Sequence, residues 1–568
     1  MESYKLIIYQ VFTRLYGNRC QTRKPFGTIE ENGCGKMNDF SPSVLKHIRE
    51  QGFTHVWYTG IIRHATTTDY SRFGIPRQHP AVVKGRAGSP YAITDYYDVD
   101  PDLAVDVPHR MEEFAKLVNR THRAGMKMII DFVPNHVARQ YQSIAKPAGI
   151  RDLGEDDNPD HGFDLQNNFY YCPGQSFSPY LDLYHGEKEP YTESPAKATG
   201  NDCFHNAPGQ NDWYETVKLN YGVDYYAGQT PSTFHLPPST ILHQPSTILH
   251  QPSTILHQPS TILHQPSTWQ KMLDILLYWA GKGVDGFRCD MAEMVPAAFW
   301  AWATKAVREQ YPDIIFIGEV YNPAEYRHYL ASGFDYLYDK VGMYDTLCAV
   351  LCHRCGTDAI THAWQQTDDI RNHMLYFLEN HDEQRLASDF IVGQAEKALP
   401  AVVVAALLQQ NPFMLYNGQE WGERGMDAAG FSGSDGRTTI FDYWSLSADR
   451  DTKLSDYYQR LLNIARKEKA VAEGLMFDLM YVNQQYYRQY AFIRKADKQM
   501  LLIVANFDDV PVSMSLAIPS HAFDYLSIAE GTYPCADLLT GAPTELSLHR
   551  DAPVTLHLLP RQSVVLKL

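Results

Sequence analysis

Short apolar runs alternate with amphipathic stretches over most of the chain. Residues 6–12, 53–58, 126–133, 284–289, 314–318, 374–378 and 413–416 read as strands, because each is a brief, largely apolar run of strand length. Residues 43–51, 108–124, 269–282, 296–310 and 394–409 read as helices. In 108–124, Met111, Phe114, Ala115, Val118 and His122 recur at helical spacing, and Gly125 follows where a left-handed cap is easily formed. Strand–helix alternation at this length predicts a parallel α/β architecture. An open doubly wound sheet and a closed (β/α)₈ barrel both satisfy the pattern.

Two regions break the alternation. Residues 138–222 are rich in Gly, Pro, Asn, Asp and Tyr without a clear period, as expected of an inserted functional subdomain. Near the carboxyl end, residues 501–506, 510–517, 544–549, 554–559 and 563–568 form short strand-like runs, which predict a separate antiparallel β-sandwich. Residues 238–265 hold four tandem copies of Pro-Ser-Thr-Ile-Leu-His-Gln, and Pro266-Ser267-Thr268 begins a fifth. A proline in every heptad excludes a continuous helix or coiled coil, so the repeat is expected to loop out of the surface. The organisation expected is a barrel from 1–137 and 223–450, an inserted domain from 138–222, and a sandwich from 451–568.

Composition narrows the class. The chain of 568 residues is 44% hydrophobic and 20% charged, which suits a folded protein. A formal net charge of −16 argues against nucleic acid or an anionic membrane as partner. No apolar run reaches the 18 or so residues of a spanning helix, and no small-residue cleavage site follows the first apolar stretch, so a cytoplasmic location is expected. The nine cysteines are odd in number and scattered, which suits reduced thiols. Cys348, Cys352 and Cys355 lie close in sequence, but no second half of a zinc site follows, so packing thiols are expected. Tyrosine, at 37, outnumbers phenylalanine, at 25, and rings with a polar tip suit sugars as well as cores.

Four polar clusters fall at the carboxyl ends of expected strands: Asp131–His136, Gly286–Asp290, Gly318–Val320 and Glu379–Asp382. Sites in parallel α/β proteins form beyond those ends. The residue types point to glycosidic cleavage, which needs one ionised carboxylate and one protonated carboxyl flanking an anomeric carbon. Arg288 lies two residues before Asp290, hence on the same strand face, and its charge favours an ionised Asp290. Glu319, in an aromatic and partly desolvated setting, suits the acid/base role. Asp382 beside His381 adds a third carboxylate. A nucleotide-dependent oxidoreductase would need a G-x-G-x-x-G turn, and the sequence has none.

With these motifs the chain resembles the α-amylase family (glycoside hydrolase family 13) of retaining glycosidases and transglycosidases, over nearly its whole length. The resemblance implies a (β/α)₈ barrel, a domain protruding after the third strand and a C-terminal β-sandwich. It implies Asp290 as nucleophile, Glu319 as general acid/base and Asp382 as the carboxylate that stabilises the transition state. It implies that Tyr91, His136, Arg288 and His381 hold the sugar, Tyr91 by stacking. The substrate implied is an α-gluco-oligosaccharide or polysaccharide, hydrolysed or transferred to a second sugar. A non-catalytic member would usually lack one of the three carboxylates. No cofactor is required; Asn135 matches a residue that binds Ca²⁺ in many members, so a bound Ca²⁺ is admitted. The chain departs from the endo-acting α-amylases three and four residues after the nucleophile, where Glu293 and Met294 replace Lys-His. Lys218-Leu219-Asn220 matches the short motif of the protruding domain only loosely.

Overall fold

The computed structural model describes residues 5–226, 265–426, 435–550 and 552–568. The alternation resolves into the closed form. Eight parallel strands make a barrel: β1 (Ile7–Phe12), β2 (His55–Thr59), β3 (Lys127–Phe132), β4 (Gly286–Cys289), β5 (Ile315–Gly318), β6 (Tyr336–Tyr338), β7 (Met374–Phe377) and β8 (Phe413–Tyr416). Each pairs with its sequence neighbours, and β1 closes on β8 through Ile7↔Phe413 and Tyr9↔Leu415. Seven of the eight follow from the apolar runs. β6 escapes that reading because it is only three residues long, Tyr-Leu-Tyr, with no apolar run to mark it.

The period of two along these strands sorts side chains into two layers. Ile8, Trp57, Ile129, Ile317, Tyr338, Leu375, Phe377 and Met414 fill the barrel interior as one cluster. Their neighbours, including Tyr9, Val56, Ile130, Phe287, Phe316 and Leu415, belong to the larger core beneath the surrounding helices. Cys289 is wholly buried in that outer core, as its alternation with Arg288 and Asp290 requires. Going up each strand, the inward position turns from apolar to polar: Ile8 to Gln10, Ile129 to Asp131, Gly286 to Arg288 to Asp290, and Ile317 to Glu319. The chemistry is thereby gathered at the carboxyl end of the barrel.

The helices obey local rules. Pro42–Gln51 starts with Ser41 accepting from the Val44 N–H and stops at Gly52, whose φ of +118° suits glycine. The helix expected over 108–124 divides into a 3₁₀ turn, Val107–His109, and the α-helix Arg110–Arg123. His122 leaves the apolar stripe and bonds Asp285 Oδ2 at 2.6 Å. The helix Leu399–Leu407 is buried at every residue from Pro400 onward. It lies between the barrel and the C-terminal strands, where Arg494 donates to the carbonyls of Leu408, Val471 and Gly474. Burial, with the charge of Arg371 added to it, pushes the Arg494 guanidinium down to about 9. The helix Thr452–Lys467 packs back on the barrel, with Asn463 donating to the Glu50 carbonyl.

Between β3 and β4 the chain leaves the barrel. His136–Ala138 pairs with Thr216–Lys218 and Tyr171–Cys172 with Ala196–Lys197. The carboxyl-terminal segment forms an antiparallel six-stranded sheet and a two-stranded sheet, Val512–Leu516 with Val554–Leu558. Three of its strands, Leu475–Asp478, Gln489–Ala496 and Gly531–Asp537, escaped the apolar-run reading. The tandem repeat lies outside the described residues except for Gln265.

Candidate active site

Arg288 organises the barrel mouth. Its Nη1 donates to Asp290 Oδ1 at 2.7 Å, and its Nη2 lies 2.7 Å from Glu319 Oε2. Asp131 Oδ1 faces the same guanidinium at 3.8 Å. The rings of Trp57, Tyr91 and Tyr338 surround the Arg288 carbon at 5.3, 5.3 and 5.6 Å from their centroids, which favours the cation. β4 lies between β3 and β5 in register Arg288↔Asp131 and Arg288↔Ile317, so these groups converge from three adjacent strands.

The two carboxyls on Arg288 differ in their free atoms. Asp290 Oδ2 is buried and accepts no hydrogen bond among the described residues. Both Glu319 oxygens are engaged: Oε2 accepts the Met291 N–H at 2.7 Å and Oε1 accepts the Tyr321 hydroxyl at 2.6 Å. Met291 has φ +44°, a left-handed conformation costly for a non-glycine residue. It stands directly after Asp290, where its N–H is directed at Glu319.

His381, Asp382 and Tyr91 form the second wall. Gln10 Nε2 donates to His381 Nδ1 at 2.9 Å, which leaves the ring proton on Nε2. That nitrogen lies 2.9 Å from Asp382 Oδ2 and 2.5 Å from the Tyr91 hydroxyl. Tyr91 O–H also approaches Asp131 Oδ1 at 3.4 Å. Asp382 is oriented by Asn380, whose Oδ1 accepts the Asp382 and Glu383 N–H groups at 2.8 and 2.9 Å. Glu379 of the same motif turns away and pairs with Arg385 at 2.8 Å, a structural ion pair. His136 is buried against Trp213 and reaches the cluster through the Tyr91 main chain.

Electrostatics separate the carboxyls. Burial pushes Asp290 well above the usual carboxylate range; Arg288 pulls it back and the Glu319 charge adds to the push. Arg288 favours the ionised form of Asp290, as its place on the same strand face predicts, but burial of the carboxyl works against it and is the larger effect. Burial also works on Asp382, but His381, Arg288 and Arg437 bring its carboxyl below the usual range. Asp382 is the most open of the three, with 40% of its side chain exposed against 3% for Glu319. Burial, with Lys218 and Lys84 nearby, takes His136 down to about 3, so its ring is neutral.

The Ca²⁺ that the family resemblance admits does not fit at Asn135. Its Oδ1 is already taken by the Lys218 ammonium at 2.8 Å, which also lies 2.5 Å from Asp202 Oδ1. Its Nδ2 donates to the Gly200 carbonyl at 2.8 Å. A divalent cation there would meet a fixed positive charge among its oxygen donors. Among the described residues no group of three or more His, Cys, Asp or Glu side chains is placed to hold a metal. Cys348, in the helix Asp345–Leu351, packs against the barrel-interior cluster, while Cys352 donates to the Ile391 carbonyl.

Gln10, Trp57, Met291, Tyr321 and Tyr338 reach the site without having been singled out as site residues in the sequence. Gln10 carried a legible signal, a polar residue within an apolar strand. The others touch the site through strand closure or through backbone geometry that sequence spacing does not encode.

Comparison with known proteins bears on the family and the fold. A sequence-family model described as "Alpha amylase, catalytic domain" matches residues 24–168 and 247–456. The chain is 21% identical to neopullulanase 2 of Thermoactinomyces vulgaris, over 90% of its own length and 71% of that protein's. It is 22% identical to a cyclomaltodextrinase of a Bacillus species, over 88% and 72%. Among solved structures, the noncanonic maltogenic α-amylase AmyB of Thermotoga neapolitana superposes with a TM-score of 0.63 at 19% identity, covering 99% of this chain and 98% of that one. That likeness bears on the fold.

Proposed function

The chain belongs to the α-amylase family, and from that premise we propose that it cleaves the α-glucosidic bonds of starch-derived or related α-gluco-oligosaccharides with retention, by double displacement. The observation that carries the proposal is the division of labour on Arg288. One guanidinium binds Asp290 through Oδ1 and faces Glu319, while Asp290 Oδ2 has no partner among the described residues.

In the first step Asp290 Oδ2 attacks the anomeric carbon and the glycosidic bond breaks; Glu319 passes its proton to the departing oxygen. In the second, Glu319 takes a proton from water, whose oxygen attacks the same carbon and releases Asp290. Double displacement calls for Asp290 ionised to attack and a proton on Glu319 to give to the leaving oxygen. Asp382, held ionised by its partners, binds sugar hydroxyls and favours the positive charge that develops on the ring. Tyr91 stacks on the sugar, and His136, Arg288 and His381 complete its cradle. If a second sugar replaces water in the second step, the same residues give transglycosylation; product analysis on maltooligosaccharides distinguishes the two.

Among the described residues no helix is long and apolar enough to cross a membrane. The nine free thiols support a reducing compartment, and we place the protein in the cytoplasm. The test of the assignment is D290N and E319Q with retained fold by circular dichroism. Each should lower kcat/KM by at least about 10²–10⁴. A fluorinated α-glucosyl fluoride should leave its label on the Asp290 peptide. Near-normal activity in either variant, or a label on another carboxylate, refutes the assignment.

A further inference from the structure

We propose that the Tyr321 hydroxyl is a positioning residue that confines the acid proton of Glu319 to Oε1, and that Glu293 holds Tyr321 in place to do so. The proposal rests on the acid/base reading of Glu319. Its starting point is the asymmetry of that carboxyl. Oε2 accepts the Met291 N–H at 2.7 Å and faces Arg288 Nη2 at 2.7 Å. Both neighbours are obligate donors, so a proton on Oε2 would point at another proton. Oε1 has a different neighbour, the Tyr321 hydroxyl at 2.6 Å. A hydroxyl donates or accepts by turning about its C–O bond. It donates to Oε1 when Glu319 is ionised and turns away or accepts when Oε1 carries the proton.

The proton therefore leaves from and returns to one oxygen. In glycoside cleavage Oε1–H gives its proton to the departing oxygen as the C–O bond breaks. In the second half Oε1 takes one from the attacking water. Tyr321 gains and loses no net proton. Its own phenol is pushed well above the usual range, by burial first and then by the Glu319 charge, which keeps it a neutral hydroxyl throughout.

The placement of Tyr321 is built by the other half of the site. Glu293 lies in the 3₁₀ turn Ala292–Met294 that follows the nucleophile strand. Its Oε2 accepts the backbone N–H groups of Tyr321 and Asn322 at 3.1 and 3.0 Å. The segment after Asp290 thus clamps the segment after Glu319. This gives a physical reason for the departure at position 293, where the endo-acting relatives carry lysine. A lysine has no acceptor and could not receive two backbone N–H groups.

The experiment is a series of aryl α-glucosides with phenols of graded acidity, assayed with Y321F and E293A. Poor leaving groups need a placed proton and good ones need it less. We expect Y321F to lose about 10-fold more kcat/KM on the poorest phenol than on the best. The basic limb of its kcat/KM profile should move up by about 0.5–1 pH, because a hydrogen bond to the ionised carboxylate is gone. E293A should show the same leaving-group pattern with smaller amplitude. An equal loss on every phenol with an unmoved limb, or no loss, overturns the proposal. Should Y321F fail to fold, the E293A series decides: a steeper dependence on phenol acidity supports it, and an unchanged one overturns it. Collapse of E319Q with unaffected Y321F and E293A removes this inference alone. An active E319Q removes the acid/base reading beneath it.

Discussion

Replacing Lys218 by methionine isolates what an ammonium does at the joint between the barrel and the segment inserted after β3. The lysine side chain is 2% exposed and bonds Asn135 Oδ1 at 2.8 Å; its other partner, Asp202, is 39% exposed. The bond from a charged donor to Asn135 is worth about 1.5–3 kcal/mol, and its loss strands a buried amide oxygen. The pair with Asp202 adds at most about 1 kcal/mol, since that carboxylate can turn back to water. Methionine preserves the stem volume, so little cavity cost enters. K218M should therefore lose about 2–4 kcal/mol of local stability. The readout is hydrogen exchange at His136–Ala138 and Thr216–Lys218, the paired strands on either side of the ammonium. Removing that charge also relieves His136, which is held down to about 3. A histidine whose folded pKa is depressed contributes stability that is present above its unfolded value of about 6.5 and lost as pH falls toward 3. That acid loss should become shallower in K218M. The wild type should keep the same exchange rates with chelator or with added Ca²⁺. Destabilisation of the wild type by chelator, or unchanged protection in K218M, would refute the reasoning.

Two further outcomes test the electrostatics and the packing. Burial pushes Glu420 up to about 7, although Tyr9 donates to its Oε1 and the Gly418 N–H to its Oε2. A carboxyl raised this way contributes stability that is present below its unfolded value and lost as pH rises through 7. E420Q should therefore flatten the fall in stability between pH 5 and 8 by up to roughly 3 kcal/mol; denaturant unfolding at both pH values checks this, and identical pH dependence would contradict it. Gly286 faces the barrel interior, where an added Cβ would lie 2.5 Å from Ile315 Cγ1 and 3.3 Å from Ile129 Cγ1. G286A should cost about 1–3 kcal/mol by overpacking, read as a lowered unfolding midpoint, and a midpoint at or above the wild-type value would speak against a tight interior.

Local chemistry wrote a large part of this protein into its sequence. The apolar runs mark seven of eight barrel strands because a strand buried on both faces must be apolar along its length. Asp131, Arg288, Asp290 and Glu319 stand at strand ends in positions that a period of two turns inward, while His381 and Asp382 follow β7 in a turn oriented by Asn380. What the sequence left open was closure, since an open sheet and a barrel share the same alternation, and only the pairing of β1 with β8 decides between them. Closure also decided the charges. Arg288 beside Asp290 reads as an ion pair in one strand, yet the barrel brings Asp131 and Glu319 to the same guanidinium and removes the water, so burial outweighs the pair. Asn135 and Lys218, 83 residues apart, meet through a two-strand pairing that no periodicity announces. Tyr321 and Glu293 belong with them: their contacts run through backbone N–H groups and a hydroxyl rotor. Such contacts depend on where two loops end, and loop ends are fixed by the three-dimensional packing of the elements they join.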